Sequence, residues 1–201
     1  MLKTTIETIC KSKSIVGIGT GRTVESILPY LNPNLQYVSS SHQTTRSLLN
    51  YSIHCYPLES IDHLDLYIDG CDYFDKKGNM IKGKGGSLTT EKLMCTMADE
   101  VLIIVQNYKY RECFEDCYVP IEILPGSVKY IEKILKKKNV KYELRRGENK
   151  FGPVITDLGN FIVDVVFDEK FLNECREICG VVEHGYFAVD DYNIKVKTFE
   201  E

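Results

Sequence analysis

Short apolar runs alternate with amphipathic segments over the first half of the chain. The apolar runs cover 14–19, 35–38, 53–55, 64–68 and 101–105, and each predicts a buried strand. Helical spacing of apolar residues predicts helices at 2–10, 24–31 and 45–50 and a further helix from Leu88. Strands that alternate with helices are typical of an α/β fold, here a Rossmann-like core around a mostly parallel sheet.

The pattern changes after residue 118. The segments that follow are an extended stretch at 118–125, a helix at 128–138, strands at 140–144, 154–156 and 161–166, a helix at 171–179 and short strands at 181–182 and 186–189. Residues 157–160 form a turn signal between two of these strands. This order predicts a second, smaller α+β (ferredoxin-like) domain. We place it at 121–182, with the α/β core formed by 1–120 and 183–201.

Composition narrows the class of protein. The 201 residues are 43% hydrophobic with a net charge of −4, which suits a globular chain and provides no basic surface for nucleic acid. No apolar run reaches the ~20 residues that a membrane helix needs. Residues 1–14 lack the apolar centre of a signal peptide. We therefore expect a cytoplasmic protein that binds neither nucleic acid nor membranes.

Eight cysteines raise the question of metal binding or disulfides. Cys113 and Cys117 are four positions apart, as are Cys175 and Cys179, a spacing that zinc ligands allow and that one helix turn also produces. A chain of this length does not need disulfides for stability. We favour reduced, mostly buried thiols over structural zinc, and we expect no metal and no cofactor.

A glycine-rich turn follows the first predicted strand. Gly17-Ile18-Gly19 continues into Thr20-Gly21-Arg22-Thr23 and a predicted helix, an arrangement whose backbone N–H groups suit an anion. A dinucleotide is disfavoured because Arg22 occupies the third glycine position and the next strand ends in Ser39-Ser40-Ser41, without a carboxylate. ATP is disfavoured because no lysine stands at the P-loop position. A sugar phosphate or carboxylate fits better, with a tight packed turn as the alternative.

Side chains suited to acid–base chemistry cluster after the strand at 64–68. Asp69 and Asp72 lie where this strand ends, the side on which open α/β sheets bind ligands. Lys82 follows in a glycine-rich stretch, and Glu91 falls near the first turn of the next helix. Proton abstraction beside a carbonyl needs a carboxylate base and a group that stabilises the enediolate oxygen. Each residue alone could be a turn former or a helix-end charge, but the combination favours catalysis.

Six motifs make the chain similar to the type A family of ribose-5-phosphate isomerases. VGIGTGRT at 16–23 resembles the family's phosphate loop, and YIDGCD at 67–72 resembles its D-G-A-D motif. IKGKGGSLTTEK at 81–92 resembles its K-G-G-G-x-x-L-x-x-E-K segment, with lysine and glutamate nine apart in both. VPIEILP, VITDLGNFIVDV and GVVEHGYF resemble later signatures, so the similarity runs from about Ile15 to Val196.

The resemblance implies metal-free exchange between D-ribose 5-phosphate and D-ribulose 5-phosphate, in the non-oxidative branch of the pentose phosphate pathway. It implies that Glu91 is the base that moves the proton between C1 and C2, and that Lys82 stabilises the enediolate oxygen. Asp69 is expected to assist ring opening and hydroxyl proton movement, and Asp72 to bind sugar hydroxyls. Substrate binding is expected at Thr20, Gly21, Arg22, Thr23, Gly70, Cys71, Gly83, Lys84, Gly85 and Lys109. A homodimer or homotetramer is expected.

Three positions depart from the family pattern. Arg22 stands where a serine is usual, Lys84 where a glycine is usual, and Tyr73 where an acidic residue follows the second aspartate. These changes bear on substrate affinity more than on the type of reaction. Two other functions stay open: a non-catalytic sugar-phosphate sensor on a similar core, and a hexosamine-phosphate deaminase, which releases ammonia.

Overall fold

A computed structural model describes residues 2–148 and 150–199 of the chain. The helices are α1 (Leu2–Cys10), α2 (Arg22–Glu25), α3 (His42–Asn50), α4 (Leu88–Met97), α5 (Val128–Lys137) and α6 (Glu169–Cys175). The strands are β1 (Ile15–Ile18), β2 (Gln36–Ser39), β3 (Cys55–Tyr56), β4 (Leu66–Asp69), β5 (Tyr73–Phe74), β6 (Met80–Ile81), β7 (Val101–Gln106), β8 (Tyr118–Ile123), β9 (Tyr142–Leu144), β10 (Phe161–Val166), β11 (Val181–His184), β12 (Tyr186–Phe187) and β13 (Ile194–Phe199).

Six strands form a wholly parallel sheet in the order β13-β7-β4-β1-β2-β3. Apolar side chains fill both faces of this sheet, one packed against α1, α2 and α3 and the other against α4. The prediction of a Rossmann-like, mostly parallel core is therefore confirmed. The chain passes from β1 to β2 on one side of β1, whereas β4 lies on the other side. This reversal of strand order is where open α/β sheets bind ligands.

The smaller domain has an antiparallel sheet in the order β11-β8-β10-β9. Its elements follow each other as β8, α5, β9, β10, α6 and β11, which is the ferredoxin-like succession. Ile131 and Leu135 of α5 and Phe171 of α6 are buried against this sheet. The prediction of a small ferredoxin-like domain is confirmed, and its limits at 121 and 182 stay a prediction.

A third, three-stranded sheet was not predicted. β5 and β6 form an antiparallel hairpin around the polar turn at 75–79, and β12 pairs with β6. The carboxylate of Asp75 stabilises the turn by accepting the N–H groups of Lys77 and Asn79, each at 2.9 Å. This sheet matters for the site because β6 leads directly into Lys82.

Three local predictions are wrong. The helix expected at 24–31 is divided into α2 and a 3-10 turn, Leu28–Tyr30, because Pro29 lacks the N–H that a continuous helix requires. Residues 154–156 do not form a strand, because the main chain of Thr156 bonds within the turn that follows, to Gly159 and Asn160. The helix expected at 171–179 ends at Cys175. β13 was also missed, since Ile194 and Val196 alternate with lysines over only four residues.

All eight cysteines are free thiols. Cys10, Cys71, Cys95 and Cys175 are buried, whereas Cys113 and Cys179 are exposed and the other two are half-buried. The expectation of mostly buried thiols therefore holds for half of them. In the described part of the chain, no helix has the length and apolar character needed to cross a membrane.

Candidate active site

A cavity of about 850 Å³ opens at the carboxyl ends of β1, β4 and β7. Its volume is within the range of small-molecule sites. Every predicted site residue except Asp69 lines it: Thr20, Gly21, Arg22, Thr23, Gly70, Cys71, Asp72, Lys82, Gly83, Lys84, Gly85, Glu91 and Lys109. The structure therefore brings together three segments that are far apart in the sequence.

Asp69 lies behind the cavity wall, at the end of β4. It has no exposed surface, and its carboxylate accepts four hydrogen bonds. Oδ1 accepts the N–H groups of Gly70 (2.7 Å) and Thr20 (3.2 Å), and Oδ2 accepts the Tyr67 hydroxyl (2.5 Å) and the Lys82 ammonium (2.7 Å). The carboxylate presses against Gly19, where a Cβ would lie only 2.0 Å from the Asp69 Cγ. Glycine at 19 is thus required by close approach.

Lys82 is a buried cation held from several sides. Its N–H donates to Gly185 O at 2.8 Å. Its ammonium donates to Gly70 O at 2.6 Å and to Asp69, and lies 3.1 Å from Glu91 Oε2. Burial opposes the charge of Lys82, but the carboxylates of Asp69 and Glu91 outweigh it and raise the pKa of the ammonium. Lys82 is therefore a fixed positive charge at the cavity wall.

Glu91 lies in the first turns of α4, with its N–H bonded to Ser87 O at 2.9 Å. Its side chain is buried, and burial raises the carboxyl pKa to about 8, against the opposing effect of Lys82. Oε2 is the only buried side-chain oxygen or nitrogen of the described residues that has no hydrogen-bond partner. The nearby ammonium forms an ion pair with Oε2 without hydrogen-bond geometry. Glu91 is therefore a carboxyl of raised pKa that is paired with Lys82 at the cavity wall.

The loop between Lys82 and α4 forms a further part of the wall. Gly83 and Gly86 have φ angles of +96° and +89°, which side-chain-bearing residues rarely adopt. The N–H of Lys84 donates to Asp72 Oδ2 at 2.9 Å, so the two residues hold each other. The side chain of Lys84 is exposed and faces the cavity.

The glycine-rich turn after β1 forms the opposite part of the wall. The Thr20 hydroxyl donates to Ser41 Oγ at 2.7 Å and lies 2.9 Å from Ser40 Oγ, so it is already engaged. Arg22 is exposed at the cavity rim. Lys109, beyond β7, donates from its ammonium to Cys71 O at 2.8 Å. Burial raises the pKa of the Cys71 thiol to about 12, so this thiol stays protonated.

Several cavity residues were not predicted. Arg111 lies 4.5 Å from the ring centroid of Tyr73, and its Nη1 donates to Tyr108 O (2.9 Å) and Tyr110 O (2.6 Å). Tyr73 is therefore a cation–π partner for Arg111. Gln106 and Tyr108 also line the cavity. Gln106 is the last residue of β7 and Tyr108 follows it, as Lys109 does, so their position at the carboxyl end of this strand was the available signal.

Potential metal ligands lie elsewhere. In the described ranges, the one group of three is His63, Asp65 and Asp99, whose ligand atoms lie within 4.8 Å of one another. Asp65 already accepts the N–H groups of Ser14 and Ile15. No cysteine belongs to this group, and the group lies outside the cavity.

The parallel core with a carboxylate–lysine–carboxylate cluster at its switch point defines an acid–base site for a small polar ligand. The model of the family described as Ribose 5-phosphate isomerase A (phosphoriboisomerase A) matches residues 36–197. A ribose-5-phosphate isomerase A from Trichormus variabilis is 36% identical over 197 residues, 90% of this chain and 82% of its own. One from Archaeoglobus fulgidus is also 36% identical, over 90% of this chain and 85% of its own. The chain belongs to the ribose 5-phosphate isomerase A family.

Solved structures of similar chains share both domains. A D-ribose-5-phosphate isomerase in complex with phospho-erythronic acid matches with a TM-score of 0.85 at 32% identity, over 98% of this chain and 93% of its own. Ribose 5-phosphate isomerase A from Methanocaldococcus jannaschii matches with a TM-score of 0.86 at 28% identity, over 98% of this chain and 92% of its own. The similarity therefore extends over nearly the whole chain.

Proposed function

We propose that this chain interconverts D-ribose 5-phosphate and D-ribulose 5-phosphate by metal-free proton transfer through an enediolate. Membership of the family supports the reaction. The main structural support for this reaction is the pairing of Lys82 and Glu91 at the cavity wall. The Lys82 ammonium lies 3.1 Å from a buried Glu91 carboxylate oxygen that has no hydrogen-bond partner. This pair supplies a proton acceptor beside a fixed cation.

Glu91 is the proposed base. Its ionised carboxylate accepts the proton from C2 of the open-chain aldose, and the electron pair left on C2 forms the C1–C2 double bond while the carbonyl pair moves to O1. The Lys82 ammonium stabilises the negative charge on that oxygen. Transfer of the O2 hydroxyl proton to O1 and return of the Glu91 proton to C1 complete the ketose.

Asp69 is proposed to act through Lys82. Its four hydrogen bonds occupy both carboxylate oxygens, and its side chain is not among those that line the cavity. It holds the ammonium in position and favours its charged form. Asp69 therefore assists ring opening and hydroxyl proton movement indirectly, by keeping Lys82 charged and in place.

The other predicted residues are proposed to hold the substrate. Asp72 binds sugar hydroxyls, and the turn Thr20–Thr23 binds the phosphate together with Lys109. Their places along the cavity wall support these roles. Arg22 and Lys84 add two exposed cations where the family has serine and glycine, and so favour a dianionic phosphate. Gly70, Cys71, Gly83 and Gly85 complete the wall.

Formation of ribulose 5-phosphate from ribose 5-phosphate, with a chelator present, tests the proposal. We expect turnover by the unmodified protein and a kcat lower by roughly 10²–10⁴ for Glu91→Gln, the usual contribution of a general base. The affinity of Glu91→Gln for phospho-erythronic acid should be unchanged. The matched control is Glu115→Gln, an exposed glutamate outside the cavity, which should keep full activity.

The other outcomes separate the remaining functions. Full turnover by Glu91→Gln would show that Glu91 is not the base. Binding of phospho-erythronic acid without turnover would favour the sugar-phosphate sensor, and ammonia release from a hexosamine phosphate would favour the deaminase. We also propose a cytoplasmic location. A homodimer or homotetramer remains the proposal for assembly, and light scattering of the purified protein measures its mass.

A further inference from the structure

An arginine of the small domain holds the cavity loop of the core. Arg145 follows β9, and its Nη1 donates to the main-chain oxygens of Gly83 (2.9 Å) and Lys84 (3.1 Å). Its Nε donates to Asp164 Oδ2 on β10 at 2.7 Å, and its Nη2 pairs with Asp164 Oδ1. The planar guanidinium thus links a bidentate carboxylate in one domain to two carbonyl groups in the other.

The loop that Arg145 holds is part of the cavity wall. Gly83, Lys84 and Gly85 line the cavity, whereas Arg145 does not. Asp72 accepts the N–H of Lys84 while Arg145 binds its carbonyl, so the main chain of Lys84 is fixed on both sides. These contacts fix the main chain from which the exposed Lys84 side chain extends. Arg145 can therefore influence a ligand only through the loop.

The two reactive side chains that flank the loop are anchored independently of Arg145. Lys82 is held by Gly185 through its N–H and by Asp69 and Gly70 through its ammonium. Glu91 is held within α4 by the bond to Ser87. Release of the loop should therefore leave the Lys82–Glu91 pair in place and loosen only the wall between them.

We propose that Arg145, oriented by Asp164, is a positioning residue for substrate binding. The identity of the substrate rests on the function proposed above. Through this contact the small domain sets the position of the 83–85 wall, from which the Lys84 side chain extends. The small domain is thereby part of the binding site although it contributes no side chain of its own to the cavity wall among the described residues.

The test is the split between KM and kcat in Arg145→Met, which keeps an apolar stem and removes the donors. We expect KM for ribose 5-phosphate to rise about tenfold or more, the usual effect of losing hydrogen bonds from a charged group. We expect kcat to stay within about threefold, because the Lys82–Glu91 pair is retained. Arg145→Lys should also show a raised KM, since the compact ammonium of lysine cannot reproduce the planar set of donors of the guanidinium.

The matched control is Arg146→Met, which removes the neighbouring exposed arginine and should leave both constants unchanged. Asp164→Asn should also raise KM, by a smaller factor than Arg145→Met. If Arg145→Met does not fold, the KM of Asp164→Asn decides whether the proposal stands. A purely structural role would reduce the active fraction, and so lower kcat with KM unchanged. That result in both variants would overturn the proposal.

Direct binding of phospho-erythronic acid, measured by calorimetry, keeps this inference separate from the proposed function. If the unmodified protein binds it but does not turn over ribose 5-phosphate, the proposed function fails. Weaker binding by Arg145→Met would in that case still support the role of Arg145 in positioning the loop. If the unmodified protein and folded Arg145→Met bind phospho-erythronic acid with equal affinity, the proposed role of Arg145 is overturned, whatever the activity.

Discussion

Glu91 is subject to opposing effects on its proton affinity. Its place near the amino end of α4 and the adjacent Lys82 both favour the carboxylate, which makes a weaker base. Burial favours the neutral acid and is the largest of these effects, so the pKa rises to about 8. The sequence shows the helix position and the lysine, but it does not show burial. A base with a pKa near neutrality is well suited to abstract and return a carbon-bound proton.

The raised pKa of Glu91 predicts the pH dependence of the reaction. Below about pH 8 the carboxyl is protonated and cannot accept the C2 proton, so kcat/KM should rise with pH and level off above this value. The measurement is initial rates at low ribose 5-phosphate from pH 6 to 9.5. The substrate phosphate titrates at about pH 6 and should give a separate, lower inflection. A kcat/KM that is constant between pH 7 and 9 would contradict the assignment.

Glu91 also links pH to stability. The pKa of its carboxyl is expected to lie near the ordinary value of 4.5 in the unfolded chain but at about 8 in the folded protein. Between these values the folded protein retains a proton that the unfolded chain has released. The contribution of Glu91 to the free energy of unfolding should therefore decline as the pH rises through this interval, and Glu91→Gln should remove that decline. Urea unfolding at several pH values measures it.

At the scale of elements, the sequence indicates which segments meet. Thr20–Thr23, Asp69 and Lys109 each follow a predicted parallel strand, and the carboxyl ends of parallel strands lie at one edge of the sheet. That rule alone places them together: Thr20–Thr23 and Lys109 line the cavity, and Asp69 lies behind its wall in contact with Thr20. It does not place Lys82, which reaches the site through the β5–β6 hairpin, two strands too short to give a periodic pattern. Arg145 comes from another domain, and no local pattern links it to Gly83.

The end of β1 offers an element-scale prediction. A Cβ at residue 19 would overlap the Asp69 carboxylate at 2.0 Å, so Gly19→Ala should displace Asp69 and, with it, the Lys82 ammonium. Overpacking of this kind costs about 1–3 kcal/mol, and we expect kcat/KM to fall roughly tenfold to a hundredfold. The control is Gly126→Ala, whose Cβ would meet nothing within 4 Å. An unchanged kcat/KM for Gly19→Ala would show that Asp69 does not need this position.

At the scale of the whole molecule, buried polar groups join the two domains. Glu122 on β8 is 1% exposed, and it accepts hydrogen bonds from Thr156 Oγ1 (2.6 Å), Asn160 Nδ2 (3.0 Å) and the hydroxyl of Thr89 in α4. Asp157, in the same turn as Asn160, accepts the N–H of His42 at the start of α3. The turn at 157–160 was predicted only as a link between strands, because a sequence does not show which helices a turn will contact.

The hydrogen bonds of Glu122, rather than its charge, should hold the domains together. Glu122→Ala leaves two buried donors, on Thr156 and Asn160, and the half-buried Thr89 hydroxyl without this partner, and should lower the free energy of unfolding by about 2–4 kcal/mol. Glu122→Gln should cost about 1 kcal/mol or less, because its carbonyl can accept from Thr156 and Asn160 while its amide donates to the Thr89 hydroxyl, which can rotate to accept. Urea denaturation of both variants measures the difference. Glu143→Ala, an exposed glutamate on β9, is the control and should change little. If Glu122→Gln destabilises the protein as much as Glu122→Ala, the negative charge itself is what the interface requires, and Glu122 would then join Asp164 as a carboxylate through which the small domain supports the catalytic core.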